Sequence, residues 1–97
     1  MDNFYFVYIL KSLKDGKNYA GYTKNLNLRF EQHQKGEVES TRYRRPLKLI
    51  YFEACLNQQD ALKREKYFKT HYGKMYLKNR LANWNTEFYG SNRIPQG

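Results

Sequence analysis

Phe4-Tyr5-Phe6-Val7-Tyr8-Ile9-Leu10, then Lys14-Asp15-Gly16-Lys17, then Asn18-Tyr19-Ala20-Gly21-Tyr22 is the stretch on which the fold turns. Its first segment is continuously apolar, aromatic and partly β-branched. That predicts a strand buried on both faces, hence the centre of a small sheet. Asp-Gly is the strongest short hairpin signal, so the chain reverses there and residues 18–22 return as a second strand. Gly21 closes that strand, where a bend or a close backbone approach is expected.

Outward from the hairpin, residues 23–36 predict a helix with Asn25 as N-cap and Gly36 as stop. At ~100° per residue Leu26, Phe30 and His33 share one face, with Arg29 at its edge. Residues 37–46 read as a loop carrying Arg42, Arg44 and Arg45. Residues 47–54 predict a third strand, Leu47, Leu49 and Tyr51 facing one way and Ile50 and Phe52 the other. Asn57 caps a second helix over 58–72 that ends at Gly73, with Ala61, Leu62, Phe68 and Tyr72 as its apolar stripe. A third helix is expected over 74–84. The fold class is α/β, a three-stranded antiparallel sheet flanked by helices in the order β-β-α-β-α-α. The domain is assigned to residues 1–84, and 85–97 to a C-terminal tail with little to bury, expected to be partly disordered.

Ninety-seven residues suit one domain, and 18% aromatic content supplies the large side chains that a small core needs. Lysine and arginine number 18 against 9 acidic residues, a net charge of +9 that suits a polyanionic partner. Cys55 is the single cysteine, so no internal disulfide forms, and with His33 and His71 it makes a poor zinc set. The apolar run at residues 4–10 is too short to span a membrane and lacks the basic region of a signal peptide. The expected location is cytoplasmic.

Several segments then line up. They are Phe6-Val7-Tyr8, within the run that continues Ile9-Leu10; Tyr19-Ala20-Gly21, followed by Tyr22-Thr23; and Leu26-Asn27-Leu28-Arg29-Phe30-Glu31-Gln32-His33. Thr41 through Pro46 and Ala61-Leu62-Lys63-Arg64-Glu65-Lys66 complete the series. Singly each is weak, but their order and spacing are specific. Over about residues 4–83 the chain resembles the GIY-YIG nuclease superfamily, and within it the small stand-alone, UPF0213-like branch. Phe6 stands where the name-giving motif has Gly, and Ala20 where it has Ile. Both tyrosines remain.

That resemblance implies a magnesium- or manganese-dependent endonuclease acting on DNA, in repair or recombination. Tyr8 and Tyr19 would hold and deprotonate the attacking water, and Arg29 would neutralise the scissile phosphate. Glu65 would bind one magnesium ion whose other sites are mostly water. His33 would assist by hydrogen bonding or proton transfer. Arg42, Tyr43, Arg44, Arg45, Lys63, Arg64 and Lys66 are the expected nucleic-acid contacts, an aromatic interleaved with cations.

Each role has a structural rival. Most tyrosines in an apolar run fill core, and most arginines at a helix edge are solvated. A lone half-buried histidine is often a hydrogen-bonded packing residue, and charge runs are usually solvated faces. Glu65 is the most informative position, because it falls inside the second helix's apolar stripe. A buried carboxylate needs a cation or a cleft, so an Arg or Lys ion pair is the alternative to a metal. No separate target-selecting domain is expected in a chain of this length, which motivates a second reading: a nucleic-acid-binding or partner-recruited module with little activity of its own. A protein partner would then supply target selection. A membrane-surface binder is disfavoured, since no strongly amphipathic basic helix with aromatic anchors is present.

Overall fold

The apolar run and the hairpin after it organise the sheet. In the computed structural model, which describes residues 3–91, β1 (Tyr5–Ser12) lies between β2 (Asn18–Thr23) and β3 (Leu47–Cys55), antiparallel to both. Val7 to Leu10 are at most 1% exposed, as a central strand requires. The β1–β2 turn is built on Ser12, whose Oγ accepts from the Lys14 and Asp15 amides, and on Gly16 at φ 74°. The expected three-stranded antiparallel sheet is present.

One strand detail is corrected. The β1–β3 register shifts between Ile9 and Leu10: Leu10 pairs with Leu49, but Ile9 pairs with Tyr51. Ile50 is thus the extra residue of a bulge, and Tyr51 moves to the face opposite Leu49. There its hydroxyl donates to Glu53 Oε2 at 2.7 Å. A period-2 reading cannot see a bulge, because the extra residue resets the alternation.

α1 (Leu26–Gln34) starts where Asn25 Oδ1 accepts from the Leu28 amide, and the chain leaves it through Gly36 at φ 79°. Leu26 and Phe30 pack with Tyr19 and Leu49 on the buried cluster of Tyr8, Leu10 and Leu47. A 3-10 turn at Arg42–Arg44 precedes β3. Asn57 Oδ1 accepts from the Asp60 amide and opens α2 (Gln58–Phe68), which buries Ala61 completely.

The chain divides between Lys66 and Tyr67 into two compact units. In the second unit the helix boundaries depart from expectation. α2 stops at Phe68, Thr70 Oγ1 accepts from the Gly73 amide, and α3 (His71–Arg80) begins. Gly73 therefore sits in a first turn instead of ending a helix. A Cβ there would lie 2.0 Å from the Tyr67 carbonyl oxygen, so close helix approach, and not helix termination, requires glycine. Tyr72 is exposed on α3 and drops out of the α2 stripe. Tyr67, Phe68 and Tyr76 form one aromatic cluster of this unit, with centroids 5.8–6.3 Å apart. The single helix expected over 74–84 is two, because Leu81 leaves helical geometry and α4 (Ala82–Ser91) follows. Of the expected tail, residues 85–91 belong to α4, and 92–97 lie outside the described residues. Among the described residues no helix is long and apolar enough to cross a membrane.

Candidate active site

Pleating directs Phe6, Tyr8 and Leu10 to one face of β1. Tyr8, 1% exposed, pairs across the sheet with Gly21. A Cβ on Gly21 would lie 2.4 Å from both Cζ and Oη of Tyr8, so the phenol rests directly on the β2 backbone. The close approach expected at Gly21 is there, although β2 continues beyond it to Thr23. Tyr19 pairs with Leu10, one step diagonally from Tyr8, and the two rings are 6.5 Å apart.

His33, in the last turn of α1, completes a three-ring group. Its ring lies 5.6 Å from that of Tyr8 and 5.4 Å from that of Tyr19, edge-on to both. Tyr8 Oη and His33 Nε2 are hydrogen-bonded at 2.8 Å, and His33 Nδ1 and Thr41 Oγ1 at 2.6 Å. His33 and Thr41 are both fully buried. Arg29 is one turn earlier on the same side of α1, close enough for its positive charge to act on the Tyr8 hydroxyl. Its Nη1 also donates to Gln32 Oε1 at 3.1 Å. From α2, half-buried Glu65 adds its charge at the same tyrosine hydroxyl. Tyr8, Tyr19 and His33, drawn from β1, β2 and α1, thus come together, and the charges of Arg29 and Glu65 reach the Tyr8 hydroxyl.

Burial pushes the Tyr8 hydroxyl up to about 12; Tyr19 and Glu65 add to the rise, and Arg29 opposes it. Burial, with Arg29 beside it, pushes His33 down to about 4. At neutral pH both groups are therefore uncharged.

Sequence reasoning assigned no role to Thr41, whose contact with His33 leaves no signal in spacing. Phe52 was also missed: it pairs with Tyr8 across β1 and β3, is half exposed, and rests against Phe6. It gives the Tyr8 side of the sheet an aromatic flank.

The expected nucleic-acid contacts separate into two groups. Arg42, Tyr43, Arg44 and Arg45 lie in and just after the 3-10 turn. Tyr43 is 75% exposed, with the Arg42 guanidinium 5.0 Å from its ring centroid. Arg45 Nε donates to the Arg42 carbonyl at 2.9 Å, and Arg44 pairs with Asp15 at 3.4 Å. This segment is tied to the β1–β2 turn: Ser12 Oγ donates to the Arg44 carbonyl at 2.6 Å, and Lys14 Nζ to the Tyr43 carbonyl at 3.2 Å. The exposed Lys14 and Lys17 thus join the basic surface. Basic residues flanking the Asp-Gly turn were the signal for them. On α2, Lys63 and Lys66 are exposed, but Arg64 makes a two-pronged ion pair with Glu53, both contacts at 2.9 Å.

Among the described residues no three His, Cys, Asp or Glu side chains cluster as a metal cage. Half-buried Glu65 could supply a single carboxylate ligand, which suits an ion of the magnesium type that keeps most of its water.

With the geometry in view, comparison with known proteins is informative. The family model of the GIY-YIG catalytic domain matches residues 4–82. A UPF0213 protein of Staphylococcus aureus (strain Mu3) is 44% identical over 68 residues, covering 69% of this chain and 82% of that protein. Its counterpart in strain N315 matches to the same extent. The solution NMR structure of a UPF0213 protein from Bacillus halodurans is similar at a TM-score of 0.51 and 26% identity, over 97% of this chain and 99% of that one.

Proposed function

This chain belongs to the GIY-YIG family, in its small UPF0213 branch, and from that premise we propose that it is a divalent-metal-dependent endonuclease hydrolysing DNA phosphodiester bonds. The observation that supports the reading is the packing of two tyrosines and a histidine around one buried hydroxyl, on which the charges of Arg29 and Glu65 also act.

In this reading Arg29 stabilises the charge that builds on the scissile phosphate. Tyr8 and Tyr19 orient the reacting groups by hydrogen bonding. Tyr8 does so as a phenol, because its pKa near 12 keeps the proton on at neutral pH. His33 holds the Tyr8 ring in place. Glu65 would hold a magnesium or manganese ion, which when bound polarises the phosphate and acidifies water. The basic surface from Lys14 to Arg45, with Lys63 and Lys66, would bind the phosphate backbone, and Tyr43 offers a stacking face. We place the enzyme in the cytoplasm, with repair or recombination as the setting and a partner protein as a source of target selection.

Purified protein supplied with magnesium or manganese should nick plasmid or branched DNA. Arg29→Ala and Glu65→Ala should stay folded and lose that cutting. Variants that cut like the parent would assign the activity to a contaminant. The net charge of +9 and the exposed Arg42–Tyr43 pair favour, as a second reading, a binding module with little activity. In that case no ion elicits cutting, DNA affinity falls steeply with salt, and Glu65→Ala binds at least as well as the parent.

A further inference from the structure

We propose that Phe52 is a stacking platform for an unpaired base of the substrate, next to the phosphate that Arg29 neutralises. The role of Arg29 rests on the nuclease reading. What is added is a substrate class: nucleic acid with an unstacked base beside the cut.

The sheet face that carries Tyr8 is unevenly covered. Its side chains stand in rows across the strands: Tyr19, Leu10 and Leu49, then Gly21, Tyr8 and Phe52, then Thr23, Phe6 and Ala54. α1 packs on the first row through Leu26 and Phe30. Along β3 the cover then gives out. Leu47 is 7% exposed, Leu49 half-buried, Phe52 50% exposed and Ala54 exposed. Tyr8, in the same row as Phe52, is 1% exposed, so the boundary between closed and open sheet runs between these two rings. Phe6 packs beside Phe52 with centroids 6.1 Å apart and planes tilted by 59°, which steadies the ring and leaves it open to solvent.

What suits an open ring at this place is set by its neighbours. The Tyr8 hydroxyl lies over β2 at Gly21, two strands from Phe52, roughly 10 Å at ordinary strand spacing. The charges of Arg29 and Glu65 act on that hydroxyl. An aromatic face at one end of such a span and a cation near the other match the two parts of a nucleotide chain, base and phosphate.

Beyond the site, Thr41, bonded to His33, leads directly into the exposed Arg42–Tyr43 pair. The contacts thus run from Phe52 through Tyr8, His33 and Thr41 to Tyr43, with an exposed ring at each end, on a chain of net charge +9. Rings and cations in combination hold single strands, whereas a base stacked inside a duplex has no free face to offer. Phe52 is therefore a positioning and specificity residue: it touches no reacting atom and selects substrates whose base can leave the stack.

Binding of one short oligonucleotide, single-stranded and as a blunt duplex, tests this without divalent metal, so no cutting is needed. Phe52→Leu keeps an apolar contact with Phe6 and removes the aromatic face, and thermal melting checks that it folds. It should bind the single strand about tenfold more weakly and the duplex as the parent does, with Phe52→Tyr restoring the parent's affinity. A 2-aminopurine base in the single strand should be quenched by the parent and less so by Phe52→Leu. A leucine variant that binds single strands like the parent, or weakens both forms equally, overturns the proposal. So does a parent dimer in sedimentation that Phe52→Leu dissociates, since the face would then belong to a second copy. If the parent discriminates through Phe52 but cuts no DNA with any ion, the nuclease reading fails and the platform stands. If it cuts and Phe52→Leu shows no single-strand defect, the platform fails and the nuclease reading stands.

Discussion

Tyr8 Oη and His33 Nε2, 25 residues apart in the chain, are joined at 2.8 Å where the centre of the sheet meets the last turn of α1. Burial favours the uncharged form of each, raising the tyrosine's pKa and lowering the histidine's. The pair therefore ties the catalytic geometry proposed here to the pH dependence of folding.

Acid should destabilise the protein through His33. Its folded pKa of about 4 lies below the usual 6.5, so between these values the unfolded chain binds more protons than the folded one. The stabilisation is fully present above pH 6.5 and is lost as the pH falls through that window, by up to about 3 kcal/mol. Urea midpoints from pH 7 to pH 4 should fall more steeply in the parent than in His33→Asn. A His33 ring that titrates near its ordinary pKa in the native protein would contradict this.

Alkali should act through Tyr8 with the opposite sense. Its folded pKa of about 12 lies above the ordinary 10, so its contribution is present below pH 10 and lost as the pH rises toward 12. In an absorbance titration of the tyrosines one component should ionise late, and Tyr8→Phe should remove that component.

Gly21→Ala should displace the Tyr8 phenol, because the new methyl would lie 2.4 Å from Cζ and Oη. Overpacking of this kind costs about 1–3 kcal/mol. The variant should melt earlier, lose the Tyr8–His33 contact in NMR spectra and cut poorly. A variant matching the parent in stability and ring contacts would mean the phenol does not lie on the β2 backbone.

Arginines on the basic surface should differ in kind. Arg64 is partly exposed and engaged by Glu53, so Arg64→Ala should lower stability by about 1 kcal/mol and leave DNA affinity near the parent's. Arg42→Ala should reduce the salt dependence of binding by about one counterion. Tyr43→Ala should weaken binding to single strands by about 1–3 kcal/mol if a base stacks there, with Tyr43→Phe close to the parent. Filter-binding or fluorescence titrations across a salt series separate these outcomes.

What could be read from the sequence alone was local in origin. The apolar run of β1, the Asp-Gly reversal and the caps Asn25 and Asn57 each depend on a residue and neighbours a few positions away. The resemblance carried by Tyr8, Tyr19, Arg29, His33 and Glu65 likewise rested on spacing. Tertiary structure decided the rest. It placed a bulge at Ile50, sent Tyr51 to Glu53 and Glu53 to Arg64, made Gly73 a point of close approach, and seated Thr41 behind His33. The physical reason is the same in each case. Propensity and periodicity act within a few residues, whereas a buried hydrogen bond or a methyl-sized gap exists only once distant segments have been brought together.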